Sequence, residues 1–234
     1  MRRPSTFLLQ ALFAALILFG PVRLAQAGQP QQYCEKTNYS ASQIADAVNN
    51  SSLRDDLKQT SCSLGGLGRF ESGGNKGIYN GTCCTGIFQL NTENALRYAN
   101  ATPAQFGCKS LQDQVNAWAE LTNDGYNTPA VRTLASMQTF DGQTVDASFI
   151  AACIQLGPGN CQKMINGGTC GSWTDSNGTS ICDMARNAKK NADASCQEGT
   201  PQCAMGPGDF PTTPVAAAAP AGAASDVNVA ANQV

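Results

Sequence analysis

Histidine is absent from all 234 residues of the chain. Imidazole is the side chain whose unperturbed pKa lies nearest neutrality, so its absence excludes a Ser-His-Asp triad, a Cys-His dyad, a histidine general base and every histidine-containing zinc site. Proton transfer falls to a carboxylic acid, a lysine, a tyrosine or a cysteine. Charge is scarce as well: Asp, Glu, Lys and Arg make up 14% of the chain, against roughly 25% in ordinary globular proteins. Only Glu35, Glu71, Glu93, Glu120 and Glu198 are glutamates, which keeps the choice of carboxylic acid short. No Cys-x-x-Cys pair occurs, so a structural zinc site lacks its usual ligand spacing.

What is present points to export. Arg2 and Arg3 precede an apolar run from Phe7 to Phe19, and Leu24-Ala25-Gln26-Ala27 has the small-x-small form of a cleavage site, so residues 1–27 read as a signal peptide. As a helix that run would rise about 20 Å at ~1.5 Å per residue, short of a ~30 Å hydrocarbon core. No membrane span is expected in the mature chain, and the expected location is the periplasm or the extracellular space. Removing the three leader arginines leaves 12 basic against 17 acidic residues. That balance provides no electrostatic footprint for nucleic acid.

All 11 cysteines lie beyond the leader: Cys34, Cys62, Cys83, Cys84, Cys108, Cys153, Cys161, Cys170, Cys182, Cys196 and Cys203. In an oxidising compartment they form a disulfide framework. The odd count leaves at least one thiol unpaired or paired between molecules. Adjacent Cys83 and Cys84 would be strained if bonded to each other, so each is expected to reach a different partner. Residues 28–205 are expected to form one domain, and the Pro/Ala-rich stretch 206–234 has too little apolar mass to offset its chain entropy, which predicts a disordered tail.

The readable elements are helical. Ser40 to about Leu57 has capping residues at its start and apolar Ile44, Val48 and Leu57 within. Leu111, Val115, Trp118 and Leu121 share one helical face, and Thr128-Pro129 is a strong helix start. Ala147 to Leu156 is an apolar helix stopped by Gly157-Pro158-Gly159, with shorter helices expected over Thr92 to Asn100 and Ile181 to Asn191. No stretch alternates long enough to require a sheet. Asp175-x-Asn177-Gly178 departs from a calcium loop in its glycine position and lacks the closing glutamate, so it reads as a turn.

The stretch with chemistry in it is Phe70-Glu71-Ser72-Gly73-Gly74-Asn75. Glu71 follows an apolar stripe, Leu64, Leu67 and Phe70, and precedes a glycine pair that ends a helix. A carboxyl at the C-terminal end of a buried helix is pushed up in pKa by desolvation and by the negative end of the helix dipole, as a general acid working near neutrality needs.

With Gly86-Ile87-Phe88-Gln89-Leu90 and Gln155-Leu156-Gly157-Pro158-Gly159-Asn160, this stretch resembles the three signature segments of the lytic transglycosylases of the soluble and goose-type-lysozyme superfamily. Among them it is most similar to the small exported enzymes that serve secretion and conjugation machines. The resemblance covers about Leu64 to Asn160. It implies a mainly α, lysozyme-like domain, here stapled by disulfides, whose groove binds peptidoglycan glycan strands without metal or cofactor.

Under that resemblance Glu71 matches the catalytic acid that protonates the bond between N-acetylmuramic acid and N-acetylglucosamine. The same carboxylate then acts as base while the muramyl C6 oxygen closes onto C1, giving a 1,6-anhydro product. Ser72, Gly86, Gln89, Gln155, Gly157 and Asn160 match groove or loop positions around it, with structural roles as the alternative for each. Three features depart from the family. Ile154 and Gln155 stand where a Tyr-Asn pair is common. Leu64-Gly65-Gly66-Leu67-Gly68 is glycine-rich for a helix, at about 0.8–1 kcal/mol per glycine relative to alanine. Cys83 and Cys84 lie between the acid and Gln89, which suggests a loop pinned by disulfides. Two other functions stay open: a lysozyme-type muramidase, and an inactive exported glycan-binding or structural protein of the same fold.

Overall fold

Missing side chains set the middle of the fold. The computed structural model describes residues 28–196, with backbone alone over 193–196, and its elements are numbered in chain order. Helix α3 (Ser61–Ser72) buries Gly65, Gly66 and Gly68. A Cβ on Gly65 would collide with the carbonyl oxygen of Ala41 in α1 (Ala41–Asn49), and one on Gly66 with that of Ala188 in α10 (Ile181–Cys196). Backbone therefore lies on backbone along both flanks of α3. Of the explanations open for the glycine-rich helix, close crossing is the one found; contact with two neighbours offsets the loss of helix propensity.

Around α3 the chain runs through α2 (Asp55–Lys58), α4 (Thr92–Ala99), α5 (Pro103–Cys108), α6 (Leu111–Tyr126), α7 (Pro129–Ala135), α8 (Ala147–Gln155) and α9 (Pro158–Gly167). Local sequence accounts for most of these starts. Ser40 and Gln43 form a capping box at α1, Thr102 and Gln105 another at α5, and Asn91, Ser110 and Asp146 cap α4, α6 and α8 through side-chain oxygens. The predicted stripe of α6 holds: Val115, Trp118 and Leu121 are buried, and the Trp118 ring stacks on Phe88 at 4.0 Å. At α7 the Thr128 hydroxyl does not cap; it donates backward to the Gly125 carbonyl.

The expected helix from Ser40 to Leu57 is two helices. Ser51 interrupts it, its hydroxyl donating to the Val48 carbonyl and accepting the Leu53 N–H, so that the side chain takes over bonds a continuing helix would make. Asn123 of α6 holds the break open, donating to the Ser52 carbonyl and accepting the Arg54 N–H. The Gly157-Pro158-Gly159 segment is likewise only part of a short break, Leu156 and Gly157, because Pro158 already opens α9.

A small antiparallel sheet lies beside the helices, in the order β1 (Gln31–Gln32), β2 (Ile78–Tyr79), β3 (Cys84–Thr85) and β4 (Leu90–Asn91), with a hairpin of β5 (Thr139–Phe140) and β6 (Gln143–Thr144) elsewhere. Each strand spans two residues, too few to show alternation in a sequence.

Disulfides join Cys34 to Cys108, Cys153 to Cys161 and Cys170 to Cys182, and Cys62 is also disulfide-bonded. Cys83 and Cys84 bond to each other, contrary to expectation. Asn80 accounts for it: its Oδ1 accepts the backbone N–H groups of Thr82, Cys83 and Cys84, drawing the chain into a bend in which the two sulfurs meet. The disulfide in the loop between Glu71 and Gln89 thus closes within the loop rather than pinning it to a distant element. The leader at 1–27, the tail at 206–234, Cys203 and the side chain of Cys196 lie outside the described residues.

The glycine contacts lead to a paired expectation. Gly66→Ala lowers stability in urea denaturation by about 1–3 kcal/mol, the usual cost of overpacking. Gly159→Ala, with open space around the site, raises it by up to about 1 kcal/mol through helix propensity. Equal responses would contradict the close crossing. In a non-reducing peptide map, the peptide holding both Cys83 and Cys84 appears two hydrogens lighter than its reduced form and unlinked to any other.

Candidate functional site

The last turn of α3 is braced before any ligand is considered. Gly73 ends the helix, its N–H donating to the Arg69 carbonyl, and the Arg69 guanidinium donates to the carbonyls of Gly73 and Tyr39 and to Asn38. Ser72 donates its hydroxyl to the Gly68 carbonyl at 2.9 Å and accepts the Gly74 N–H. Asn75, buried, accepts from Gln32 Nε2, Thr37 N–H and Gly77 N–H and donates to Gln32 Oε1, which ties the first strand to this corner.

Glu71 sits in that turn. As a residue it is half-buried, but its carboxyl oxygen Oε1 is shut off from water and has no hydrogen-bond partner. Burial pushes the carboxyl up to about 8 from an ordinary 4.5, against the effect of a hydrogen bond with Gln155, which favours the charged form; the negative charge of Asp175 adds to the rise. The group is therefore mostly protonated at pH 7, as a proton donor must be. Of the apolar stripe before it, Leu64 and Leu67 are fully buried, but Phe70 is 37% exposed. With Leu96 it makes up the large exposed hydrophobic side chains among the described residues.

Gln155 closes α8 and is buried. Its Oε1 accepts the Trp118 indole N–H at 3.2 Å and its Nε2 donates to the Phe88 carbonyl at 2.7 Å. Both bonds fix the orientation of the amide that meets Glu71. Gln155, expected at the groove, is thus enclosed by Trp118, Phe88 and Glu71 inside the protein. Ile154 points elsewhere, packing against Gly125 of α6.

The remaining expected contacts are occupied by the chain itself. Gln89 is 5% exposed and donates to the carbonyls of Gly86 at 2.9 Å and Ile78 at 3.3 Å, so its amide N–H groups brace the β2–β3 region. Gly86 has φ +88°, and a Cβ there would run into Gln114 and Phe106; its small size serves the interior rather than a sugar. Gly157 links α8 to α9, and Asn160 lies in the first turn of α9, donating to the Leu156 carbonyl and accepting from Lys163. The segments of the motif converge, through Phe88, Gln155 and Glu71, while the amide N–H groups of Gln89, Gln155 and Asn160 donate to backbone carbonyls.

Two residues escaped the sequence reading. Gln114, fully buried in α6, accepts the Ile87 N–H and donates to the carbonyls of Lys76 and Phe106, locking the loop that carries Phe88 and Gln89. Nothing in its sequence context marks it, because its partners come from three separate segments. Asp175 does form the expected turn, accepting the N–H groups of Asn177 and Thr179, but it also places its charge where Glu71 feels it. Asp113, Asp124 and Asp141 are engaged elsewhere, with Ser110, with Tyr98 and Arg97, and with the Cys170 N–H. Among the described residues no cluster of acidic or cysteine side chains could hold a metal, and no helix is long and apolar enough to cross a membrane.

No protein-family model matches the chain, and no curated protein or solved structure is found similar to it.

The raised acid carries a stability signature. Because the folded state holds the Glu71 proton more tightly than the unfolded chain, its contribution is fully present below pH 4.5 and is lost as pH rises toward about 8. Glu71→Gln, which keeps a neutral side chain at every pH, should gain stability relative to wild type as melts move from pH 5 to pH 9. A constant difference across that range would show that the carboxyl titrates normally.

Proposed function

We propose that the chain cleaves the glycosidic bond between N-acetylmuramic acid and N-acetylglucosamine in peptidoglycan, with Glu71 as acid and then base. One observation carries the reading: a carboxyl at the end of a central helix, protonated at neutral pH and with its Oε1 unpaired. A buried carboxyl oxygen without a partner costs stability, and holding the acid protonated as a proton donor is the use that accounts for it. The three-part sequence resemblance supplies the substrate class and the lysozyme-like fold. Exposed Phe70 beside the acid is a fitting apolar surface for a pyranose face.

In this mechanism Glu71 gives its proton to the bridging oxygen as the bond from that oxygen to the muramyl C1 breaks. The N-acetylglucosamine end leaves as an alcohol, and positive charge spreads over C1 and the ring oxygen. Glu71, now a carboxylate, removes the proton of the C6 hydroxyl while O6 bonds to C1. The 1,6-anhydro ring closes, the acid is protonated again, and no water is consumed. Gln155 favours the carboxylate during the middle of this cycle, since its hydrogen bond stabilises the charged form. No metal or cofactor has a part. The chain would work on glycan strands outside the cytoplasm, as a wall-opening enzyme beside a secretion or conjugation machine.

Purified mature protein incubated with insoluble peptidoglycan, followed by mass spectrometry of the released muropeptides, tests this directly. Products lighter by one water are expected, with release reduced about 10²–10⁴-fold in Glu71→Gln, the range typical of a lost general acid. Ordinary reducing ends would establish a muramidase in its place. Absence of release by wild type would leave a glycan-binding or structural protein.

A further inference from the structure

We infer that the Cys34–Cys108 disulfide is a redox clasp: an external dithiol opens it ahead of the other described disulfides, loosens the N-terminal strap from the loop that follows Glu71, and so lowers the activity of that site. The control of activity rests on the glycan-cleaving reading above; the opening of the clasp does not.

The strap runs from Gln31 to Tyr39 along residues 73–79. Gln31 and Gln32 of β1 pair with Tyr79 and Ile78 of β2. Beyond that pairing the Tyr33 N–H donates to the Gly77 carbonyl, and the Tyr39 N–H to that of Gly74. Between them the Thr37 hydroxyl donates to the Gly74 carbonyl and accepts the Lys76 N–H, while the Thr37 N–H donates to Asn75 Oδ1. A Cβ on Gly74 would run into the Tyr39 carbonyl, and one on Gly77 into the Gln32 amide, so the strap is seated on bare backbone. Arg69 couples this seam to the turn that bears Glu71. Its guanidinium donates to Asn38 and the Tyr39 carbonyl on the strap and to the Gly73 carbonyl at the helix end.

Hydrogen bonds, not apolar burial, hold the strap in place. No residue from Gln31 to Asn38 is buried, and the buried core begins at Ala41. A segment attached in this way has low local stability. Its one cysteine, Cys34, ties it to the end of α5 at a sequence separation of 74, and a bond that closes so long a loop removes much of the freedom of the open chain. That bond is also the one within reach. Cys34 and Cys108 are both exposed, whereas Cys84, Cys153, Cys161 and Cys182 are fully buried and Cys62 is buried, so every other described disulfide has a buried member.

Exchange requires a thiolate to reach a sulfur. One thiolate of the dithiol bonds to a sulfur of the pair, the S–S bond breaks, and the other cysteine leaves as a thiolate and takes a proton. The second thiol of the reductant then displaces the mixed disulfide. Cys34 and Cys108 together gain two electrons and two protons, and the dithiol is left as its own disulfide.

Oxidised wild type is titrated with dithiothreitol, quenched with iodoacetamide and mapped by mass spectrometry, with hydrogen exchange and muropeptide release followed at each step. Cys34 and Cys108 should be alkylated at concentrations at least about tenfold below those that open the other described disulfides. The amides of Tyr33, Thr37, Tyr39 and Lys76 should then exchange at least about tenfold faster, with those of α6 unchanged. Release should fall about tenfold or more and recover on reoxidation. Cys34→Ser/Cys108→Ser should show the fast exchange and low release without reductant and no response to it; if it does not fold, reduced wild type carries the test. Another disulfide opening first, or seam amides unmoved once Cys34 and Cys108 are alkylated, overturns the inference. Unchanged release from the opened protein overturns the control of activity and leaves the glycan-cleaving reading intact. An oxidised wild type that releases nothing overturns that reading and the control with it, while alkylation and exchange still decide the clasp.

Discussion

The close approach of α3 to its two neighbours is the constraint on which the rest depends. Gly65 and Gly66 let the backbones of α1 and α10 come within contact of the helix, and no larger side chain fits at either place. The last turn of that helix is only half-buried, but on it the Glu71 carboxyl loses water. Desolvation is the largest influence on that carboxyl, so the chemistry open to it follows from the packing of the helix that bears it.

Inside this frame one oriented amide, that of Gln155, faces the carboxyl. Trp118 donates to Gln155, Gln155 donates to Phe88 and bonds Glu71, and the Phe88 ring stacks back on Trp118. The loop is closed, so each member holds the others in place. The direction of the Gln155 amide is set by two buried partners. Ile154, the other departure in that segment, fills space against Gly125.

How far the site was legible depends on the range of each interaction. Glu71 at the end of a helix, halted by glycines and raised in pKa, could be read from a few neighbouring residues, and the structure places it there. For Gln89 and Asn160 the sequence leaves both a groove role and a structural one open, because a motif shows which residues stand together and not which way their amides turn. They turn toward backbone, as buried polar groups generally must. Phe70 was read as core from its spacing, yet the turn that buries Leu64 and Leu67 leaves it partly in solvent. The Cys83–Cys84 bond was excluded on general strain, whereas one asparagine side chain shapes the bend that permits it.

Sequence by itself determined what acts over a turn or less: the helix caps, the stripe of α6, the stop after Ser72, the turn at Asp175, and the absence of any imidazole from whatever chemistry the chain performs. Tertiary structure alone decided which carboxyl is desolvated, which amide faces it and which charge lies near it. Those partners, Gln155 and Asp175, stand more than eighty residues beyond Glu71. Burial and Coulomb interaction depend on distance in space, which separation along the sequence does not fix.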